Sequence, residues 1–423
     1  MYTRVSSMRF RQVLVSLFPL WVFAFFFKFG GGLHYTLLPT FGEQIFPLWL
    51  IGLLIGGSAL IQLVLDVPAG YLLDRFGYVK LLILGTSCFA FGALFFVFGL
   101  HPWTYLINLV TSAIGWLFFS PGVDAYVLTK APKAFAGRFM AMRDTVMASG
   151  IVVAMSVLIL VVHASPMIIG ILIATLLGLA ILALCFIPSA RLSTSAQKKI
   201  SYQALNIRQH FFHDLFKILK KLNPASSLLL LSGFSGATFY GIIWFVVPIL
   251  IARTQQDSGT LSLGLAVFDL SIVVTGYLLG RLTDHWSKRW LVFWGLLLFA
   301  VMGLFLGFHF GALFLVFGFL STTGDEMASI SLWAWIAHLD EDHEHDALLS
   351  GAISLTQDIG WMIGPIIAGF LFQYFGPSWT IATGACLIFL TWVIASFVMH
   401  RFPQPPSLIS LPIHKPRRRR HTR

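Results

Sequence analysis

The feature that most constrains this chain is its succession of long apolar stretches, each able to cross a bilayer as a helix. Spanning about 30 Å of hydrocarbon takes about 20 mainly apolar residues in that form. Twelve such stretches are read near 15–40, 46–72, 80–100, 104–128, 139–162, 166–188, 226–251, 260–281, 290–307, 311–336, 348–372 and 377–399. Of the 423 residues, 57% are hydrophobic and 11% charged, whereas soluble domains carry about 25% charged residues. Too little polar surface remains to cover a globule in water. Backbone in lipid must also satisfy its own hydrogen bonds, so an all-α integral membrane protein is expected. The first stretch contains Lys28 and lacks a small-residue cleavage site before the second, so it is read as a retained helix and not a signal peptide.

The basic residues set the orientation. With the N-terminus in the cytoplasm, Arg4, Arg9, Arg11, Arg75, Lys80, Lys130, Lys133, Arg138, Arg281, Lys288, Arg289, the 191–221 group and the tail all fall inside. Of 28 Lys and Arg, only Arg253 then lies in an outer loop, a strong positive-inside asymmetry. Both termini are expected to be cytoplasmic, and short outer loops suit a bacterial inner (plasma) membrane. The net charge of +11 and the run Arg417–Arg420 would suit nucleic acid in a soluble chain. Beside membrane helices they set topology and draw anionic lipid at about 1 kcal/mol per residue, so membrane lipid is the expected partner and nucleic acid is not. Cys88, Cys185 and Cys386 fall inside apolar stretches at no metal-ligand spacing and read as small fillers.

The chain is internally repeated. Gly70-Tyr71-Leu72-Leu73-Asp74-Arg75-Phe76-Gly77 ends the second stretch, and Gly276-Tyr277-Leu278-Leu279-Gly280-Arg281-Leu282-Thr283-Asp284 ends the eighth. Residues 120–125 loosely match 321–328, pairing Gly122 with Gly324 and Asp124 with Glu326, and Gly137–Asp144 lines up with Gly351–Asp358. Two related halves with a six-stretch offset point to a transporter. The expected organisation is a six-helix bundle over 1–188, a basic cytoplasmic linker over 189–225, a second six-helix bundle over 226–400 and a basic tail over 401–423. A surface helix is expected near His210–Phe216.

The pattern Gly70-x-x-x-Asp74-Arg75-x-Gly77-x-x-Lys80 resembles the signature of the major facilitator superfamily, and the resemblance runs over about residues 12–400. It implies two pseudo-symmetric six-helix bundles around a central cavity, acting as a single chain. By the same likeness Asp74 and Arg75, with Gly70 and Gly77, belong to an inner latch between the halves, and Asp66, Arg143, Asp144, Arg281 and Asp358 are expected in that gate network. Gly364-Pro365-x-x-x-Gly369 also resembles the family, where small residues permit close helix packing. Two features of its drug–proton antiporters are missing: the segment after Gly150 carries no Gly-Pro-x-x-Gly-Gly run, and Thr111 stands where an Arg precedes Gly115.

A charge at the bilayer centre costs about 2.5–3.5 kcal/mol on insertion scales, so each one is a candidate for function. Lys28 lies midway along the first stretch, just before Gly30-Gly31-Gly32. It can hold an anionic substrate group, or pair with a carboxylate and be released when that acid takes a proton, or simply fix packing. The acids near the midplane are Asp269, Asp325 and Glu326, with Asp124 deeper toward the cytoplasm. A carboxylic acid taken out of water holds its proton more readily, the property a coupling site needs, and Asp325 is the first choice. Adjacent residues point about 100° apart, so at most one of Asp325 and Glu326 is expected to face a cavity squarely. Tyr35, Trp116, Tyr240, Trp244 and Trp333 are the cavity-lining aromatics implied by the resemblance.

The run His338–Asp346 is read as a solvated acidic loop, not a metal site. No nucleotide-binding signature is present, and no cofactor is expected. The leading expectation is a secondary transporter of a small organic solute working by alternating access, proton-coupled, with export favoured. Its alternatives are an uncoupled uniporter or lipid-type flippase for an anionic substrate, and a membrane-embedded transferase.

Overall fold

The computed structural model describes residues 2–130, 136–187, 224–254, 258–339 and 346–401. The surface helix, most of the linker, the tail and residues 340–345 of the acidic loop lie outside these.

Every secondary-structure element among the described residues is a helix. The first group is α1 (Tyr2–Glu43), α2 (Leu48–Phe76), α3 (Tyr78–Leu94), α4 (Pro102–Lys130), α5 (Ala136–Val161) and α6 (Pro166–Cys185). The second opens with α7 (Pro224–Arg253), α8 (Ser258–His285), α9 (Lys288–Phe308) and α10 (Ala312–Leu339). The last helical segment, Asp346–Arg401, is broken at Gly376, whose φ of 78° is left-handed, giving α11 (346–375) and α12 (377–401). α4, α6 and α7 begin on proline, which suits a first-turn position with no intrahelical partner for its N–H. Gly77, at φ 93°, turns α2 into α3.

Ten segments are long and apolar enough to cross a membrane, among them the broken Ile353–His400. The α10 helix, 28 residues long, is not one of the ten; Asp325 and Glu326 sit in its middle. Large apolar side chains such as Phe98, Trp103 and Leu160 face outward, as lipid contact requires, while Phe27 stacks on Phe119 at 3.9 Å inside.

Within the first group α1 packs on α5 and α6, and α3 on α4 and α6; in the second α9 packs on α10 and α8 on α10. The groups meet through α1 with α7 and α5 with α8, and through α2 with α11, where Gly52 lies against Gly369 and the carbonyl of Pro365.

The repeat has a different register from the one the matched segments suggest. α2, α3 and α4 start at Leu48, Tyr78 and Pro102, and α8, α9 and α10 at Ser258, Lys288 and Ala312, a constant spacing of 210 residues. Gly70 therefore corresponds to Gly280 and Asp74 to Asp284, one helical turn from the expected pairing. Packing agrees. A Cβ on Gly150 would meet the Phe25 carbonyl at 2.6 Å and Lys28 Cβ at 3.0 Å; one on Gly360 would meet the Phe234 carbonyl and Ala237 Cβ, each at 2.7 Å. Gly150 thus matches Gly360, with α1 and α7 offset by 209. The expected pairs Asp124 with Glu326 and Asp144 with Asp358 are not counterparts. Glu326 matches Trp116, and Asp358 matches Ala148.

Candidate functional site

A cavity of about 540 Å³ lies between the two groups. α1 contributes Lys28, Gly31 and Tyr35; α4 adds Trp116 and Ser120; α7 adds Tyr240 and Trp244. From α8 come Phe268 and Asp269, from α10 Thr322, Asp325 and Glu326, and from α11 Asp358 and Trp361.

Lys28 places its Nζ 4.6 Å from the centroid of the Trp116 ring and 5.5 Å from that of Phe119. Local sequence explains the seat. Gly150 lets α5 press against the stem of Lys28, and Gly31 leaves Trp116 room one turn farther on, since a Cβ there would meet its ring at 2.8 Å. Asp269, on α8, lines the same cavity as Lys28. Asp325 is held differently: the Tyr240 hydroxyl donates to its Oδ2 at 2.9 Å, and Tyr240 stacks on Phe299 at 5.9 Å. Both Asp325 and Glu326 line the cavity; the space is wide enough to meet side chains about 100° apart.

Asp124 does not line the cavity. Arg143 binds it directly and also binds Asp144, through Nε at 3.0 Å and a second nitrogen at 2.6 Å. Asp358, expected among the gate residues, lies on the cavity wall. Arg75 and Arg281 are exposed, and the guanidinium of Arg75 lies 5.4 Å from the Phe76 ring. Gly70 makes no close approach, whereas Gly77 forms the α2–α3 turn. The side chain of Asp74 lies outside the described ones. Trp333 is not in the lining of this cavity; it is 42% exposed, about two turns beyond Glu326 on the same face of α10.

At the end of the molecule where α1 and α7 finish, the groups close on each other. Arg253 donates from Nε to Glu43 Oε1 at 2.7 Å and lies over the Phe372 ring at 5.2 Å. Nearby, the Trp49 backbone N–H donates to Gln373 Oε1 at 3.2 Å. Beneath this layer Tyr35 meets Trp244 at 6.3 Å and Trp361 at 6.0 Å, roofing the cavity about 10 Å along α1 from Lys28. Sequence reasoning missed Glu43 and Trp361. The signal for Glu43 was its partner, Arg253, the lone basic residue at that side. It also missed the buried contact between His34 Nε2 and Asn108 Oδ1, 2.5 Å, which ties α1 to α4 away from the cavity.

The arrangement offers one ammonium, several carboxylates and aromatic faces in a space between two related halves. Among the described residues no cluster could hold a metal ion.

Comparison with known proteins agrees with this architecture. A solved POT family transporter in complex with a thioalcohol conjugated peptide superposes with a TM-score of 0.66 at 13% identity, covering 91% of this chain and 95% of that one. A structure from work on substrate recognition in proton dependent oligopeptide transporters gives 0.67 at 13%, covering 92% and 98%. At that identity the likeness is one of fold. In sequence, an uncharacterized MFS-type transporter of Methanocaldococcus jannaschii is 25% identical over 136 residues, 32% of this chain and 35% of that protein. Multidrug resistance protein 2 of Bacillus subtilis is 33% identical over 100 residues, 23% of this chain and 25% of that protein. The chain thus aligns with only about a third and a quarter of the length of these two relatives. The model of the Major Facilitator Superfamily matches twice, over residues 20–268 and 229–422, as a chain of two related halves should. With nearly the whole length matched, the chain belongs to the Major Facilitator Superfamily: it is an integral membrane transporter, not an enzyme.

Proposed function

We propose that this protein is a proton-coupled secondary transporter of a small organic solute, working by alternating access and favouring export. The observation that carries the reading is the convergence of Lys28, Asp269 and Asp325, each near the middle of its helix, on one cavity. Charges at that depth are costly, and in this setting they serve binding and coupling. Asp325 is the coupling carboxylate: its proton breaks or remakes the link to Tyr240 and so changes how α7 and α10 hold each other. Glu326 and Asp269 assist, and Lys28 responds to the charge of Asp269.

In this reading twelve crossings form bundles over 1–188 and 226–400, joined by a cytoplasmic linker over 189–225 and followed by the tail over 401–423. Both termini face the cytoplasm of a bacterial cell, the chain works as a monomer, and basic segments rest on anionic lipid. The Glu43–Arg253 end is then outer and closed. Asp66, Gly70, Asp74, Arg75, Gly77, Arg143, Asp144 and Arg281 serve the inner gate, the Asp124–Arg143–Asp144 contacts being rebuilt as the halves rock. Export is favoured by the partial likeness to a multidrug resistance protein.

Proton movement in proteoliposomes tests this, recorded for the wild type, Lys28→Ala and Asp325→Asn before and after adding a metabolite and drug library. The reading expects a solute to move protons in the wild type, and Asp325→Asn to abolish proton movement while solute exchange persists. Solute transport without proton movement in all three would overturn coupling and favour an uncoupled carrier.

A further inference from the structure

The electrostatics of the cavity are divided between its two walls. On the α1–α4 side stands a single ammonium, Lys28, lying over the Trp116 ring. On the side of α8, α10 and α11 stand Asp269, Asp325, Glu326 and Asp358. Counted over the lining, four acidic side chains face one ammonium, so an anionic solute entering the cavity meets one cation and, on the rest of the charged wall, only carboxyl groups. The electron-rich ring face most suited to a cation is already occupied, by a group of this chain. That group is tethered through a flexible four-carbon stem, while Trp116 is fixed by its seat on Gly31 and by edge contacts with Phe27 and Phe119 at 5.2 and 5.7 Å. Lys28 can therefore leave without repacking the wall, and Asp269, on the opposite wall of the same cavity, can receive it.

We infer that the cavity takes an aryl-bearing organic cation, and that Lys28 is an internal placeholder which this ligand displaces from Trp116 toward Asp269. This rests on the cavity being the transport site. Seated over Trp116, a solute cation gains the ring contact that Lys28 gives up, and the carboxylates opposite balance both charges. The roof of Tyr35, Trp244 and Trp361 supplies apolar ring faces for the aryl part. An empty cavity thus keeps its Trp116 face covered, and filling it frees Lys28 to pair across the space.

Tetraphenylphosphonium and tetraphenylborate, alike in shape and opposite in charge, test this by equilibrium dialysis against the full-length protein in lipid nanodiscs, with empty nanodiscs subtracted. Saturable phosphonium binding without saturable borate binding is expected in the wild type. Lys28→Gln should tighten phosphonium binding by about tenfold and Trp116→Leu should weaken it similarly, the size of one partly desolvated cation–ring contact. Preference for the borate, or phosphonium binding weakened by Lys28→Gln, would overturn the proposal and make Lys28 an anion ligand. The wild-type pair of probes needs no variant to fold. Failure here leaves the transport reading standing if the liposome library still shows solute movement; loss of all solute movement with phosphonium binding intact would instead remove the transport reading.

Discussion

The two halves share a backbone and differ in what they place at its centre. Gly150 and Gly360 press on α1 and α7 with the same geometry, yet the side chain met is Lys28 in the first half and Ala237 in the second. At the 210-residue spacing Asp269, Asp325, Glu326 and Asp358 stand where the first half has Ala59, Gly115, Trp116 and Ala148. The position of Gly31, which gives Trp116 room, is filled in the second half by Tyr240, which binds Asp325. Around the cavity, packing positions are kept and charged positions are not. The lesson is that glycines at the helix contacts keep the scaffold symmetric, while the side chains that line the cavity make its two walls unlike.

The largest effect should come from the polarised part. Asp325→Asn is expected to lower proton-coupled flux by 100-fold or more, against about tenfold or less for Tyr240→Phe, whose single hydrogen bond has a net worth of about 0.5–1.5 kcal/mol; initial rates in proteoliposomes decide. Equal losses would mean that the bond, not the carboxylate, carries the coupling. Next come the shared packing positions. Gly150→Leu and Gly360→Leu should each destabilise the fold by about 3 kcal/mol or more, because the added atoms meet backbone that cannot yield, read as melting of the purified protein. If only one of them destabilises, the symmetry of the scaffold is broken.

Smaller effects follow from the ion pairs. Arg143→Gln should cost about 1–3 kcal/mol by leaving the half-buried Asp124 without its partner, while Asp144→Asn, whose side chain is 56% exposed, should cost less than about 1 kcal/mol; chemical denaturation compares them. The smallest change is expected at the closed end, where Glu43→Gln removes a partly exposed pair worth about 0.2–1 kcal/mol. It should raise the reactivity of a cysteine placed at Tyr35 by about two- to fivefold while lowering stability by no more than about 1 kcal/mol.

Much of the fold was legible because its signals are local. Apolar stretch lengths place nearly every helix, and the scarcity of charge settles the solvent. The true repeat register was not legible: the matched segments contain similar glycines and acids one helical turn apart, and sequence similarity alone cannot tell a turn's slip from a counterpart. Helix starts and glycine contacts can, because they report on packing. In the site, Lys28 and Asp325 stood out through their cost in lipid. Asp124 misled because its partner Arg143 lies on another helix. Glu43 was hidden by its place at a helix end, where charges are cheap.

The central claim is that one cavity between the halves, now closed at the Glu43–Arg253 end, opens alternately to the two sides. Pulsed electron spin distance measurements test it most directly, with Cys88, Cys185 and Cys386 replaced. One label pair at Gln44 and Thr254 reports the closed end; another at Phe76 and Trp286, exposed counterparts at the opposite end, reports the other. On moving from the wild type to Asp325→Asn, which mimics the protonated acid, the two distances should change in opposite directions. Distances that both lengthen, both shorten or both stay fixed would contradict the account.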